Sequence, residues 1–260
     1  MPKKPIIIIS VLCVIALALG YWSGQGKEEV ASSGDVKSSE KKEPEFLKKG
    51  LVAYYPFNGN AKDESGNRVN PVRISDVSFV SDRNGNPRKA LNFNAGEVGK
   101  NPHVDLGFAS KLNYLDQFTI SAWIFCTGGV LEPRIIDCAS KFGFQTRGRR
   151  SRRTLMYRHG TEPDTRRHIH HGTMVIPEEK WCHAVVTVSN NNSTIYVNGL
   201  FDSNQSHDKF QFNRETKVVI GRKSMAPSDY FVGQIDDLRV YEHALSADEV
   251  KALYEFEKAN

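Results

Sequence analysis

The chain has 260 residues, of which 39% are hydrophobic and 25% are charged, so it can form a packed core and is not disordered as a whole. Its formal net charge of +5 is modest and assigns no class of partner by itself. The 20 glycines, 11 prolines and 10% aromatic residues favour short strands joined by tight turns.

Residues 1–22 predict export. Lys3 and Lys4 precede an apolar run that reaches Trp22, and the positive-inside rule keeps such lysines in the cytoplasm. Two alternatives stay open: a signal peptide cleaved near Ala18, or an uncleaved transmembrane anchor, for which about 18 apolar residues just suffice. The aromatic pair 21–22 suits a membrane interface and favours the anchor. In either case we expect the rest of the chain outside the cytoplasm, membrane-anchored or secreted.

Residues 23–49 are polar, mixed in charge and almost free of large apolar side chains. Such a composition cannot offset the entropy lost when a chain becomes ordered. We therefore expect a flexible linker that holds the following domain away from the membrane.

From residue 50 onwards the pattern is that of strands. Segment 118–125 alternates strictly, with Phe118, Ile120, Ala122 and Ile124 on one face. Asparagines 190–192 separate two strand-like segments and predict a hairpin. The predicted strands are 51–57, 89–95, 118–125, 182–188, 193–199, 217–222 and 232–241. Many short strands spaced by turns predict an all-β, two-sheet antiparallel sandwich of the jelly-roll type.

One helix is predicted near the C-terminus. Ser246 is a good N-cap, and Glu249, three residues later, completes a capping box. Val250, Leu253 and Tyr254 then form one apolar stripe that could dock on the sandwich.

Six segments resemble, in order and spacing, the bacterial laminin-G-like, concanavalin A-like lectin/glucanase domains. They are LVAYYPFNGNAKDESGN (51–67), KALNFN (89–94), FTISAWI (118–124), WCHAVVTV (181–188), STIYVNG (193–199) and GQIDDLRVYEHALSADEVKALYE (233–255). The resemblance covers residues 50–256, taken here as one domain. It implies a jelly-roll sandwich on a secreted or surface protein that binds carbohydrates or proteins, often with a structural calcium ion. The chain departs from the family pattern at 68–71 and in a long basic insertion between Gly143 and Trp181.

A calcium site is the first candidate. The D-x-S-G-N loop offers Asp63, Ser65 and Asn67, with a glycine that lets the backbone turn around an ion. The resemblance implies that this loop lies close to Asp236 and Asp237, so that they share the ion. The alternative is structural: Asp63 caps a turn, and Asp236 or Asp237 pairs with Arg239.

A basic segment, 147–171, is the second candidate. It contains Glu162 and Asp164 as its acidic residues, against the arginines Arg147, Arg149, Arg150, Arg152, Arg153, Arg158, Arg166 and Arg167. Such a cluster can attract a glycan or another acidic surface polymer, and arginine pairs well with carboxylate, sulfate and phosphate. The alternative is a solvated loop. A nucleic-acid partner is not expected for an exported domain.

The same segment contains His159, His168, His170 and His171. If 168–171 is a strand, His168 and His170 share a side and could bind zinc, although surface histidines are the simpler interpretation. Among the aromatic residues, Tyr230 lies in the loop Met225–Phe231, which contains a proline and lies between two glycines, and it is the candidate for stacking on a sugar.

Three cysteines follow the apolar run. Cys126 and Cys138 flank residue 132 symmetrically, so a short hairpin could join them in a disulfide. The alternative is that Cys126, Cys138 and Cys182 are buried thiols.

Two functions remain, and neither is catalytic. We find no array of alternating carboxylates of the kind that sandwich glucanases use, and no G-x-S-x-G motif; a lyase site of Tyr, His and Arg is a remote option. The first hypothesis is a carbohydrate-binding or adhesion module whose loops are ordered by calcium. The second is a protein-interaction or envelope-structural domain that uses segment 147–171 to dock acidic partners.

Overall fold

The computed structural model describes residues 43–94, 99–129, 131–139, 141–148, 152–160, 168–189, 191–207 and 215–259. The predicted signal or anchor segment, 1–22, lies outside them. In chain order the strands are β1 Leu51–Tyr55, β2 Arg73–Ser75, β3 Ser78–Val80, β4 Ala90–Asn94, β5 His103–Asp105, β6 Phe118–Cys126, β7 Arg134–Cys138, β8 Phe142–Arg147, β9 Thr154–His159, β10 His168–His171, β11 Trp181–Ser189, β12 Asn192–Val197, β13 Leu200–Ser206, β14 Val219–Ile220 and β15 Val232–Tyr241. The described helices are α1 Ser110–Asn113, α2 Ala247–Lys258 and a 3-10 turn at Glu45–Leu47.

The strands form two antiparallel sheets, which confirms the predicted all-β sandwich. The first sheet has the order β13-β12-β11-β6-β15-β4-β3, with β1 also paired to β15. The second has the order β10-β9-β8-β7-β14-β5-β2. The chain crosses between the sheets several times, as jelly-roll connections require.

The core lies between the two sheets. Phe118, Ile120, Ala122 and Ile124 face it, as their alternation predicts, and the aromatic ring of Phe118 packs against Phe142 from the second sheet with centroids 5.3 Å apart. The intervening residues of β6 face outwards. Among them, Trp123 packs against Tyr254 of α2 with ring centroids 5.7 Å apart, and the whole strand except the partly exposed Phe125 is buried.

Helix α2 covers the outer face of the first sheet. Its predicted capping box is present: the Ser246 side chain accepts from the Glu249 backbone N–H, and the Glu249 side chain accepts from the Ser246 N–H. Val250 and Leu253 are fully buried against this face. Burying a Val or Leu side chain contributes about 1.5–3 kcal/mol each, so the apolar stripe is sufficient to hold the helix on the sheet. No helix in the described ranges is long and apolar enough to cross a membrane.

The end of the predicted linker belongs to the fold. Leu47 is fully buried in the cluster beneath α2, and the Glu43 carboxylate accepts a hydrogen bond from Arg239 Nη1 at 2.6 Å. The linker prediction, 23–49, therefore extends too far at its C-terminal end, because one apolar residue and one carboxylate are enough to bind this stretch to the sheet.

The predicted Cys126–Cys138 disulfide is not formed. Cys126 ends β6 in the first sheet and Cys138 ends β7 in the second, because the β6–β7 connection crosses between the sheets and is not a hairpin. Cys126, Cys138 and Cys182 are buried free thiols, and burial raises the pKa of each to about 12. The alternative interpretation is the correct one.

Candidate functional site

The outer face of the second sheet carries mostly polar side chains. Phe142, Phe144 and Tyr157 face the core, and successive side chains of a strand alternate in direction. The side chains that turn away from the core include Asp105, Arg134, Asp137, Gly143, Gln145 and Arg158. We call these six residues the polar face.

Asp137 is the anchor of the polar face. It is fully buried, and its Oδ2 accepts hydrogen bonds from the Ser224 backbone N–H at 2.9 Å and hydroxyl at 2.7 Å. Its Oδ1 accepts from Arg158 Nη2 at 3.3 Å. Between them lies Gly143, where a Cβ atom would come within 3.0 Å of Arg158 Nε and 3.1 Å of Asp137 Oδ1. Glycine at this position leaves the room that Arg158 needs to reach across β8.

Arg134 and Gln145 are cross-strand partners with unpaired polar atoms. Arg134 is 2% exposed, and within the described ranges its Nε and Nη1 have no hydrogen-bond partner. Asp137 Oδ1 is 3.8 Å from Nε, and Asp229 Oδ2 is 3.6 Å from Nη2. Gln145 is fully buried; its Nε2 donates to Glu132 Oε2 at 3.3 Å, while its Oε1 is likewise unpaired. Each such group costs about 1–3 kcal/mol, so a ligand that satisfied them would bind favourably.

The guanidinium groups of Arg134 and Arg222 are only partly hydrogen-bonded. Burial lowers the pKa of Arg134, and Arg158 lowers it further, while Asp137 and Asp229 act in the opposite direction. Arg222, at the side of the face, also has its pKa lowered by burial, and its Nε is buried and unpaired in the described part of the chain. Arginine keeps its proton under these conditions, so both side chains retain donors for an acceptor group of a ligand.

The predicted sugar-stacking residue, Tyr230, lies beside this face. It is partly buried and interacts electrostatically with Arg222, and it follows Asp229, whose backbone carbonyl accepts from the Arg134 N–H at 3.0 Å. The structure thus brings Tyr230 and the predicted Arg158 to the same side of the sandwich.

The basic segment 147–171 is not one loop. The six-residue strand β9 lies inside it, and the termini of the segment belong to β8, which ends at Arg147, and to β10. The strand was missed because arginines obscure its alternation. Arg149, Arg150, Arg166 and Arg167 lie outside the described residues.

The described arginines of the segment have different environments. Arg152 is exposed at the β8–β9 turn, whereas Arg153 is 1% exposed and donates to Thr146 Oγ1 at 3.0 Å and to the Gly128 carbonyl at 3.1 Å. Arg147 Nη1 contacts His171 Nε2 at 2.9 Å. The prediction of Arg153 as a surface ligand-binding residue is therefore wrong, because its guanidinium ties two loops together inside the protein.

The predicted calcium loop is held by its own hydrogen bonds. Asp63 Oδ1 accepts from the backbone N–H groups of Tyr54 and Ser65, both at 2.9 Å. Its Oδ2 accepts from the Val69 N–H and the Ser65 hydroxyl, again at 2.9 Å. Asn67 Oδ1 accepts from Lys111 Nζ at 2.8 Å. The structural alternative, in which Asp63 caps a turn, matches this geometry.

The other predicted calcium ligands face a cation of the protein itself. Arg83 Nη1 lies 2.7 Å from Asp236 Oδ2, and Arg83 Nη2 lies 2.8 Å from Asp237 Oδ2. Both aspartates are thus paired with a cation of the protein, and the partner is Arg83, not the predicted Arg239. In the described ranges no cluster of three or more His, Cys, Asp or Glu side chains could hold a metal. These residues as arranged do not fit a calcium ion.

A buried charge network joins α2 to the first sheet. Glu257 Oε1 accepts from Arg239 Nε at 2.7 Å, and Oε2 accepts from Trp123 Nε1 at 2.9 Å. Burial raises the pKa of Glu257 to about 7, and burial with neighbouring Asp237 raises that of Asp236 to about 9. Burial is the larger cause in both cases, and the neighbouring carboxyl groups add to it: Glu43, Asp82, Asp236, Asp237 and Glu257 surround Arg83, Lys89 and Arg239. They line a cleft of about 240 Å³, and their mutual pairing indicates a structural role.

The predicted strand at 168–171 is present as β10. His170 is 3% exposed, and its ring nitrogens contact the hydroxyl groups of Ser193 at 2.9 Å and Ser203 at 3.0 Å. Burial lowers the pKa of His170 to about 4. Both nitrogens of this ring are thus used by serines, so a zinc ion bound by His168 and His170 does not fit.

Sequence reasoning missed Arg134, Gln145, Arg83 and Glu257. The signal for Arg134 was the segment Arg-Ile-Ile-Asp-Cys, in which two charged residues interrupt a strand-like apolar run. Arg83 carries no such signal, because it lies in a turn and meets its partner Asp236 across 153 positions.

The model of the concanavalin A-like lectin/glucanases superfamily matches residues 98–251. Among solved structures, the binding domain of Paraclostridial mosquitocidal protein 1 is 21% identical with a TM-score of 0.62, over 80% of this chain and 52% of the other. The binding domain of botulinum neurotoxin DC, in complex with rat synaptotagmin II, is 13% identical with a TM-score of 0.62 over the same shares. This chain thus spans about half of these toxin domains.

A third similar structure is matched over almost its whole length. Domain 4 of AbnA, a GH43 extracellular arabinanase from Geobacillus stearothermophilus, in complex with arabinotriose, is 22% identical with a TM-score of 0.54, over 78% of this chain and 98% of that domain. No curated protein matches. With the family model matched over more than half of the sequence and the jelly-roll sandwich in place, the chain belongs to the concanavalin A-like lectin/glucanase superfamily.

Proposed function

We propose that this protein is a non-catalytic, exported binding module whose ligand is a glycan that contacts the polar face. The observation that carries the proposal is the pair Arg134 and Gln145, which places unpaired donors and an unpaired acceptor side by side on one sheet. Arg158, fixed by Asp137, and Tyr230 extend the surface. Mixed donors and acceptors beside an aromatic ring suit the hydroxyl groups and apolar ring faces of a sugar.

The similar structures support binding as the general role. Domain 4 of the arabinanase is a complex with arabinotriose, and the botulinum neurotoxin binding domain is a complex with synaptotagmin II. A fold hosts many functions, however, and the choice of a glycan rests on the site.

Binding without catalysis is the better proposal for this face. Glycoside hydrolysis uses two carboxyl groups, about 5–9.5 Å apart, that are free to exchange protons with the substrate. Both carboxylate oxygens of Asp137 already accept hydrogen bonds, one from Ser224 and the other from Arg158. A carboxylate held in this way positions its neighbours and is not available as an acid or base.

A glycan array probed with the full chain in mild detergent tests the proposal, with Arg158→Gln as the site variant and Arg152→Gln as the matched control. Arg152 is exposed and Arg158 lies on the polar face. Selective signal from the protein and the control, with loss in Arg158→Gln, is the expected result. A blank array with folded protein contradicts the proposal.

The second candidate is docking of an acidic protein partner. The exposed Arg152, with Arg147 at the neighbouring end of β8, favours it. Binding of that kind would collapse when salt rises and would ignore sugar identity, since exposed charges are screened within about 8 Å at physiological ionic strength.

A further inference from the structure

Arg134 and Gln145 lie next to an irregularity in the pairing of β7 with β8. The register of β7 against β8 shifts between Arg134 and Ile136, which marks a β-bulge. Bulges turn a side chain away from its regular direction and are frequent beside binding sites. Here the extra residue is Ile135, and the pair next to it is a buried arginine, Arg134, opposite a buried glutamine, Gln145.

The carboxylates around Arg134 leave it incompletely paired. Asp137 Oδ1 and Asp229 Oδ2 are 3.8 and 3.6 Å away, which is too far for a hydrogen bond. Asp137 is already engaged by Ser224 and Arg158, and Glu132 is engaged by Gln145 Nε2. Asp229 is the displaceable one, because its side chain is 33% exposed.

The combination of unpaired atoms selects the chemistry of the ligand. Arg134 Nε and Nη1 need acceptors, while Gln145 Oε1 needs a donor. Inorganic sulfate offers acceptors only and leaves Gln145 unsatisfied. A neutral sugar offers hydroxyl groups and leaves the guanidinium charge without a counter-ion. A sugar acid carries both a carboxylate and adjacent hydroxyl groups.

We propose that Arg134 and Gln145 form a subsite for a carboxylated sugar residue, in which the carboxylate takes the place of the partly exposed Asp229 and pairs with Arg134 Nη1 and Nη2, while a ring hydroxyl donates to Gln145 Oε1. This inference rests on the proposed function, glycan binding at the polar face. The lowered pKa of Arg134, caused by burial and by Arg158, is what an arginine that lacks a full counter-ion shows.

Two substitutions distinguish specific recognition of a carboxylated sugar from a general attraction between opposite charges. Arg134→Lys keeps the positive charge but removes the planar set of donors that pairs with a carboxylate. Asp229→Asn removes the competing carboxylate, and asparagine tolerates the backbone there, where φ is +52°. Arg152→Gln, which removes an exposed charge from the same strand pair, is the control.

The experiment is calorimetric titration of the full chain with trimers of galacturonate, glucuronate and mannuronate and with sialyllactose, each beside its carboxyl-reduced form, and with sodium sulfate. We expect one or more acids to bind at least about tenfold more tightly than the reduced form, since an unmatched buried polar group costs that much or more. Arg134→Lys should abolish the difference, Asp229→Asn should enlarge it, and Arg152→Gln should leave it unchanged.

The outcomes that contradict the inference are distinct. If acid and reduced forms bind equally, or Arg134→Lys keeps the preference, the subsite is wrong and glycan binding stands. If sulfate competes as well as the sugar acid, the site recognises charge alone and the sugar acid is rejected. If no saccharide binds to any of the folded proteins, the proposed function fails together with the subsite. Should Arg134→Lys not fold, an unchanged preference in Asp229→Asn overturns the inference by itself.

Discussion

Trp123 on β6 donates its indole N–H to the carboxylate of Glu257 on α2, at 2.9 Å and across 134 positions of the chain. Glu257 is 2% exposed and also accepts from Arg239 on β15. The last turn of α2 is thereby joined to the two central strands of the first sheet. The stability of the domain should depend on this carboxyl group.

The free energy of unfolding is expected to fall as pH rises from about 5 to 8. The native pKa of Glu257, about 7, is above its ordinary value of 4.5, so the native state holds this proton more tightly than the unfolded state. The associated stability is fully present below about pH 4.5 and is lost as pH rises through 7. Asp236, with a native pKa of about 9, acts in the same direction. The loss should be on the order of 1–3 kcal/mol.

Urea unfolding at several pH values measures this, with Glu257→Gln as the variant. The amide introduced by this substitution cannot titrate, so the pH dependence of the variant should be flatter than that of the natural protein. Glu255→Gln on the exposed side of α2 is the control. Parallel profiles for the natural protein and Glu257→Gln would contradict the assignment.

Replacing Arg83 should destabilise the protein strongly. Its side chain is 7% exposed and pairs with Asp236 and Asp237, so Arg83→Met leaves two buried carboxylates without their counter-ion. We expect a loss of about 3–5 kcal/mol in the free energy of unfolding, measured by urea denaturation. The same change at the exposed Arg152 should cost within about 0.5 kcal/mol.

A double variant identifies why Arg83→Met destabilises the protein. Arg83→Met combined with Asp237→Asn should recover part of the loss, because the carboxylate that lies 2.8 Å from Arg83 Nη2 is removed together with the cation. Additive losses from the two substitutions would show that packing of Arg83 over the Trp123 ring, 4.6 Å from its centroid, is the larger effect.

Calcium and chelator should leave thermal stability unchanged. The Asp63 oxygens are used by N–H and O–H donors, and Arg83 neutralises Asp236 and Asp237. The melting temperature in excess calcium chloride should therefore equal that in EDTA. Because binding to the native state raises stability with ligand concentration, a melting temperature that rises with added calcium would restore the calcium hypothesis.

The three domain thiols should be unreactive in the native protein. Burial raises the pKa of Cys126, Cys138 and Cys182 to about 12, and the thiolate is the reactive form. In a Cys13→Ser background, a disulfide-exchange reagent at mildly alkaline pH should label no cysteine before unfolding and all three afterwards. Labelling of a single cysteine after unfolding without reductant would indicate a disulfide.

The sequence predicts elements whose pattern is local. Strand β15 matches its predicted bounds, 232–241, and the Ser246–Glu249 cap is observed, because period-two alternation and capping depend on neighbouring residues. Strands β2, β5 and β14 are two or three residues long and carry too little periodicity to be predicted alone.

The candidate site could be predicted only in part. Arg158 and Tyr230 were proposed for their chemistry and lie at or beside the polar face. Asp137 meets Ser224 across 87 positions, so only the completed fold brings these residues together. The Asp63 loop shows a case in which the sequence pattern allowed two structures. Its side-chain oxygens could bind a calcium ion or accept hydrogen bonds from backbone N–H groups, and the order of residue types is the same for both.

The contact between Glu43 and Arg239 has a geometric consequence. It fixes the point where the chain enters the sandwich on the outer face of the first sheet, back to back with Arg134 on the second. If the predicted anchor and the proposed glycan site are both correct, attachment through this end and binding of a polymer on the second sheet would use different surfaces. A pulling force between the attached end and the bound polymer would then be transmitted through the hydrophobic layer between the sheets, which is about 10 Å thick.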